Sequence, residues 1–256
     1  MKIKLLGAHN CESKKTRLSS VLIDDILALD AGSLTGSLSL PAQRRLKAIL
    51  LTHQHYDHIR DIPAIAMNYY LSGETINVYS TPAVRDALAT YMLNDHLYPN
   101  FLARPAENST IKFTAIEPLK TEIIAGYRVL PVSVSHSVPA IGYQITSTDG
   151  KTVFYTGDTG AGMADCWRQV SPQLLIIEVT ASNRYDEFGK EAYHLTPNLL
   201  KQELISFRKI KKYLPHVITV HMNPELEDEI KAELALLAEE LKTAITPGYE
   251  GMGLRL

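Results

Sequence analysis

The chain has 256 residues with 45% hydrophobic and 21% charged content, enough apolar material for a full core built as one α/β domain or two small ones. A formal net charge of −2 argues against a long electrostatic footprint on nucleic acid or on an anionic membrane. The opening residues return to charge too soon for a signal-peptide core, and no later run approaches a membrane span, so a cytoplasmic protein is expected.

Read from the start, apolar and β-branched runs predict strands at Lys2 to Leu6, Ser20 to Ile23 and Ile26 to Asp30, with Asp24-Asp25 turning a hairpin between the last two. Cys11 lies between the first two strands and Cys166 far downstream; neither belongs to a CxxC pair, so both read as reduced thiols. A strand at Ala48 to Thr52 runs into His53-Gln54-His55-Tyr56-Asp57-His58, which packs three imidazoles and one carboxylate into six positions. In an extended segment side chains repeat every two residues, so His53 and His55 point to one side and can grip one ion. Asp57 and His58 lie where the chain turns away and can grip a second.

Helical spacing follows at Ile62 to Tyr70, a strand at Ile76 to Ser80, and a helix at Ala83 to Leu93. The least regular stretch, Asn94 to Pro118, carries Pro99, Pro105 and Pro118 with Tyr98 and Phe101, and reads as a loop that could serve as a lid or substrate wall. Strands are then expected at Tyr127 to Ser135, Ala140 to Thr146, Thr152 to Thr156, Leu174 to Glu178 and His216 to His221. Ser147-Thr148-Asp149-Gly150 marks a second hairpin, and helices at Pro197 to Lys211 and Leu226 to Lys242 complete the pattern. Strands in hairpins with helices interspersed predict sheets covered by helices, a layered α/β or α+β sandwich.

Two ions need more ligands than the first cluster supplies, and strand ends are where a sheet can offer them. His136 follows one apolar strand, Asp158 follows another within Gly157-Asp158-Thr159-Gly160, and His221 follows a third. Any one alone is more often a capping or turn residue. With His53, His55, Asp57 and His58 they complete a carboxylate-bridged pair of imidazole-rich sites.

This order of motifs, with Asp30 in Leu29-Asp30-Ala31-Gly32, resembles the metallo-β-lactamase superfamily over essentially the whole chain. The resemblance implies one four-layer αββα sandwich domain spanning residues 1–256, with a dinuclear site at one edge between the sheets. It assigns His53, His55 and His136 to one metal, Asp57, His58 and His221 to the other, Asp158 to the bridge, and Asp30 to orienting a ligand. An all-His/Asp set is similar to the phosphodiesterase branches. Lys190-Glu191-Ala192-Tyr193-His194-Leu195-Thr196-Pro197 resembles the Glu…His-(Ser/Thr) signature shared by tRNA 3′-processing endonucleases and class II cyclic-nucleotide phosphodiesterases, in which the histidine contacts phosphate or assists the leaving group. Thr196 also reads as the N-cap of a helix starting at Pro197, and an anion at that helix end could be bound by backbone N–H groups together with His194.

Two divalent ions about 3.5–4 Å apart can share a hydroxide of lowered pKa and neutralise phosphoryl charge. Nitrogen and oxygen ligands make zinc the default, with manganese and iron also compatible. Asp57 would aim the hydroxide, and protonated His194 would stabilise charge or protonate the departing alkoxide. The expected activity is hydrolysis of a small phosphodiester such as a 3′,5′-cyclic nucleotide. A tRNA 3′-processing endonuclease and a non-hydrolytic metal-dependent sensor are the rivals; the mild acidity and the lack of a basic arm count against the first, the complete ligand set against the second. Self-association is left open.

Overall fold

Runs that are apolar at consecutive positions, such as Ala48-Ile49-Leu50 and Leu174-Leu175-Ile176-Ile177, are satisfied as strands covered on both faces. The computed structural model describes residues 1–256 and builds two sheets from such runs. In chain order the strands are β1 (Lys2–Gly7), β2 (Ser20–Ile23), β3 (Leu27–Leu29), β4 (Ala48–Leu50), β5 (Ile76–Ser80), β6 (Ile111–Ala115), β7 (Glu122–Ile124), β8 (Tyr127–Ser133), β9 (Ile141–Thr146), β10 (Thr152–Tyr155), β11 (Leu174–Glu178), β12 (His216–Val220), β13 (Ile245–Pro247) and β14 (Gly253–Arg255). The helices are α1 (Leu34–Ser37), α2 (Leu40–Gln43), α3 (Tyr56–Ile59), α4 (Ile62–Ser72), α5 (Pro82–Ala87), α6 (Ala164–Gln169), α7 (Asp186–Ala192), α8 (Pro197–Lys211) and α9 (Glu227–Leu241).

One sheet runs β14-β1-β2-β3-β4-β5-β6 and the other β13-β12-β11-β10-β9-β8-β7. The first is antiparallel from β1 to β3 and parallel from β3 to β6. The second repeats the scheme, antiparallel from β7 to β10 and parallel from β10 to β13. Their inner faces share a core of 22 buried residues that joins Ile3 and Leu29 of one sheet to Ile145 and Leu174 of the other. Outside, α4 and α5 cover the first sheet, and α6, α8 and α9 cover the second, where Trp167, Phe207 and Leu234 pack on Phe154 and Val217. The result is a four-layer αββα sandwich. Each fully buried Leu or Ile adds roughly 1.5–3 kcal/mol by leaving water, so the strands are rigid platforms for whatever their ends carry.

The sheets nearly touch at one edge. A Cβ on Gly157, whose φ is +62°, would sit 2.7 Å from Thr52, so only glycine lets the end of β10 approach the end of β4 this closely. Ile141 N–H donates to the Thr52 carbonyl at 3.1 Å and Tyr143 O–H to that of Leu51 at 2.7 Å, which pins β9 to the same point.

All the strands expected from the pattern are present, and both hairpins turn where expected, Asp24 and Asp25 having positive φ. The stretch Asn94 to Pro118 departs from expectation. It contains β6, an edge strand flanked by proline-rich segments that masked its signal, and Phe101 is buried against Tyr70 with ring centroids 5.3 Å apart. Its aromatic residues pack into the outer core of the first sheet as structural wall. The expected helix from Ala83 starts at Pro82 and passes into a π-helical turn at Leu88–Met92. Strands β7, β13 and β14 are too short to carry a period-2 signal.

Candidate metal centre

The ends of β3, β4, β8, β10, β11 and β12 open on the shared edge, the place where a mostly parallel sheet gathers ligands from distant parts of the chain. All seven residues expected there converge. The donor atoms of His53, His55, His136 and Asp158 lie within 4.8 Å of one another, and so do those of Asp57, His58, Asp158 and His221. Asp158 belongs to both groups, its Oδ1 3.1 Å from His58 Nε2 and its Oδ2 3.8 Å from His53 Nε2 and 3.4 Å from His221 Nε2. His136 Nε2 and His55 Nδ1 approach to 3.1 Å, and Asp57 Oδ2 lies 3.1 Å from His221 Nε2.

A metal fits these residues on an independent ground. His53 Nε2, His58 Nε2 and Asp158 Oδ1 are buried and have no hydrogen-bond partner, a costly state for polar atoms that an ion would relieve. The opposite nitrogen of each ring is held: His53 Nδ1 by Thr52 Oγ1 at 3.0 Å, His58 Nδ1 by Asp30 Oδ2 at 2.7 Å, His136 Nδ1 by the Tyr193 carbonyl at 3.2 Å, and His221 Nδ1 by Thr180 Oγ1 at 2.8 Å. Such partners set the tautomer and aim Nε2 inward. His55 is the exception, offering Nδ1.

Asp30, to which the resemblance gives the role of orienting a ligand, is wholly buried at φ +59° and contacts the candidate ligand His58 at 2.7 Å. Besides His58 it accepts from Thr52 N–H at 2.8 Å, Thr52 O–H at 3.0 Å and Tyr155 O–H at 2.8 Å. Gly32 lets this loop close on α3, since a Cβ there would meet the Asp57 carbonyl at 2.2 Å.

The electrostatics follow from packing charges without water. Burial and the neighbouring His58 hold His53 well below the ordinary histidine pKa, so its ring is neutral and able to ligate. For His58, burial opposes charge, but Asp158, Asp30 and Asp57 outweigh it and raise the pKa. Burial alone would raise the pKa values of Asp57 and Asp158; the imidazoles of His58 and His221 instead keep both carboxyls below the usual range.

His194 stands beside this cluster, its ring stacked on His221 at 5.4 Å between centroids and 5.4 Å from His136. Its partner is Glu178, whose Oε1 accepts from Nδ1 at 2.7 Å, whereas Glu191 lies on an exposed face of α7. The carboxylate of the Glu…His pair is therefore the last residue of β11, not the one three positions upstream. Glu178 is fully buried and also accepts from Thr159 N–H at 2.9 Å, Leu195 N–H at 3.2 Å and the Thr180 hydroxyl at 2.7 Å. Because Thr180 in turn accepts from His221 Nδ1, one buried carboxylate orients both His194 and a candidate ligand. Burial opposes protonation of His194, yet Glu178 pushes its pKa up to about 9, so the ring is cationic near neutrality. The signal for Glu178 was present as an acid terminating an apolar strand, the same logic that marks Asp158.

The expected anion site at the start of α8 is not available. Thr196 does cap the helix, accepting from Leu199 N–H at 3.3 Å, but Asn198 N–H is taken by Asn183 Oδ1 at 2.7 Å and Pro197 has no N–H. His194 therefore faces the cluster without help from the helix end.

A cleft of about 440 Å³ opens beside His194 and Thr180, within the range of small-molecule pockets. No helix is long and apolar enough to cross a membrane.

The profile of the beta-lactamase superfamily domain matches residues 21–222. A UPF0173 metal-dependent hydrolase from Myxococcus xanthus is 27% identical over 145 residues, covering 52% of this chain and 46% of that protein. Ribonuclease Z from Pyrococcus furiosus is 27% identical over 112 residues, 43% of this chain and 34% of that protein. The match thus spans less than half the length of either relative. Among solved structures, unliganded yeast PDE1 superposes with a TM-score of 0.83 at 16% identity, covering 100% of this chain and 99% of that one.

Proposed function

This chain belongs to the beta-lactamase superfamily, and from that premise we propose that it is a metal-dependent phosphodiesterase acting on a small phosphodiester such as a 3′,5′-cyclic nucleotide. The observation that carries the reading is the Glu178-held His194, which stands beside two overlapping His/Asp clusters and lines a cleft of small-molecule size. His53, His55 and His136 would hold one ion, Asp57, His58 and His221 the other, with Asp158 shared. When bound, such ions polarise a phosphoryl oxygen and lower the pKa of water, and zinc, manganese or iron suits the donor set.

The chain's own groups do the rest. Asp57, ionised and partly exposed beside the clusters, accepts a proton or hydrogen bond from the attacking water. The imidazolium of His194, its Nδ1 anchored on Glu178, presents Nε2 to the phosphate or to the departing alkoxide. Thr180 sets the tautomer of His221, and Glu178 fixes the orientation of the His194 ring through Nδ1.

The likeness to ribonuclease Z supports a second reading, cleavage of precursor tRNA. Metal-loaded protein assayed against cyclic nucleotides, bis(p-nitrophenyl) phosphate, precursor tRNA and a lactam separates them. Turnover of cyclic nucleotides and the nitrophenyl diester is expected. Higher kcat/KM on precursor tRNA than on any small diester would overturn the small-substrate reading.

A further inference from the structure

The segment that carries Asp158, Gly157-Asp158-Thr159-Gly160-Ala161-Gly162, holds three glycines in six positions, and Gly157 and Gly162 have φ of +62° and +98°. Glycine loses more backbone entropy on being fixed than any other residue, so such a segment keeps one conformation only where bonds impose it. Two buried carboxylates do so, one at each end. Glu178 accepts from Thr159 N–H at 2.9 Å. At the far end Glu203, 5% exposed and about two turns into α8, accepts from Gly162 N–H at 2.7 Å, from Met163 N–H at 3.2 Å and from the indole N–H of Trp167 at 2.8 Å. Trp167 is wholly buried against Phe154 and Phe207, so Glu203 is clamped to the outer core on one side and grips the loop on the other.

Between the two anchors Gly160 N–H donates to the Ser135 carbonyl, next to His136, and Thr159 Oγ1 accepts from Ser135 N–H at 3.3 Å. The loop thus reaches three parts of the centre: Asp158 itself, the strand end before His136, and Glu178, which holds His194. Helix α8 begins three residues after His194, so one rigid element starts at the imidazole and carries the anchor of the loop about two turns on. A buried carboxylate is a costly way to add stability, but its two oxygens fix the direction of every donor they meet. We propose that Glu203 is a positioning residue for the reaction: by tying residues 160–163 to α8, it sets where Asp158 stands between the two clusters and how the loop meets His194. The proposal rests on the metal-dependent phosphodiesterase reading for the chemistry, and its first readout, zinc binding, needs no turnover.

Because Asp158 belongs to both clusters, the mark of this role is a loss at both ions together. Glu203→Gln keeps the volume and sets an amide N–H against one or more of the three donors. Trp167→Phe removes the indole bond and leaves both loop bonds in place, so it disturbs the anchor without freeing the loop. Gly162→Ala strains the loop at φ +98° from its exposed side, where a Cβ meets nothing within 4 Å, so it stays folded even if Glu203→Gln does not. Zinc affinity in competition with a chromophoric chelator should fall about tenfold at both ions in Glu203→Gln and Gly162→Ala, the lower end of the cost of removing a group that orients ligands, and little in Trp167→Phe. At saturating zinc, kcat on bis(p-nitrophenyl) phosphate should fall in the same order with KM little changed. Wild-type zinc affinity in Glu203→Gln or, if that variant does not fold, in Gly162→Ala overturns the proposal. Losses that simply follow the urea midpoints, with Trp167→Phe affected as much as Glu203→Gln, overturn it as well and leave Glu203 a structural residue. A wild-type protein that binds zinc but turns over no phosphodiester removes the phosphodiesterase reading, and the zinc comparison then decides Glu203 alone.

Discussion

Replacing Asp30 by asparagine keeps the shape of the side chain and inverts one of its hydrogen-bonding atoms, which makes the consequence calculable. Asp30 Oδ2 accepts from His58 Nδ1, Tyr155 O–H and Thr52 O–H, and Oδ1 from Thr52 N–H. The cheaper orientation of asparagine puts its amide nitrogen at Oδ1, donor against donor, because the other orientation sets it against three donors. That strands the buried Thr52 N–H at a cost of about 1–3 kcal/mol, and the bond to His58 loses its charge assistance for roughly another 1 kcal/mol. Metal-free protein should therefore lose about 3 kcal/mol in urea unfolding, within the stability of an ordinary domain, so it stays folded. With the anchor of His58 weakened, affinity for the second ion should fall about 10–100-fold, the usual cost of removing a group that orients a ligand. The first ion should be less affected, since Asp30 reaches His53 only through Thr52. Competition against a chromophoric chelator resolves the two sites. A titration curve superimposable on wild type would refute the claim that Asp30 orients the metal ligands.

Reconstituted protein should carry two transition-metal ions per chain by elemental analysis, because seven donors exceed what one tetrahedral ion accepts; one ion at saturation would refute the dinuclear centre. Asp57→Ala should lower phosphodiester turnover by orders of magnitude with the fold retained by circular dichroism, and near-normal turnover would remove Asp57 from the chemistry. His194→Ala should leave metal stoichiometry unchanged but depress kcat far more on a poor leaving group than on a nitrophenyl ester; equal losses would assign it to phosphate binding. Burial opposes charge on His9, yet Glu250 at 2.6 Å and Glu227 at 3.4 Å raise its pKa above the ordinary 6.5, while both carboxyls lie below their ordinary 4.5. The stability His9 contributes is thus full below 6.5, lost as pH rises through its raised value, and its carboxylate partners fail only below 4.5. His9→Gln should accordingly cost more stability at about pH 6 than at about pH 8.5 in urea midpoints, and the reverse order would refute the pairing.

The metal-competent residues were legible in the sequence because each obeys a local rule: His53 and His55 share a face by the strand period, and His136, Asp158 and His221 each follow an apolar run that ends at a sheet edge. The same rule marks Glu178, but an acid at a strand end has no visible partner until β11 stands between β10 and β12 and the chain returns through α7 to deliver His194 to it. Glu191, three residues from His194 in sequence, faces solvent, since the left-handed turn at Tyr193 reverses the chain between them. The anion site expected at the start of α8 was lost to the same kind of fact: Asn183, fifteen residues upstream of Asn198, occupies the amide a phosphate would need. Periodicity and strand ends depend on neighbours in sequence, and the chain alone determined them. Which carboxylate holds which imidazole, and that Asn10 joins Tyr185, Phe188 and Glu225 around one cleft, depend on how two sheets pack face to face and gather their strand ends at one edge, a distance relation no local pattern encodes.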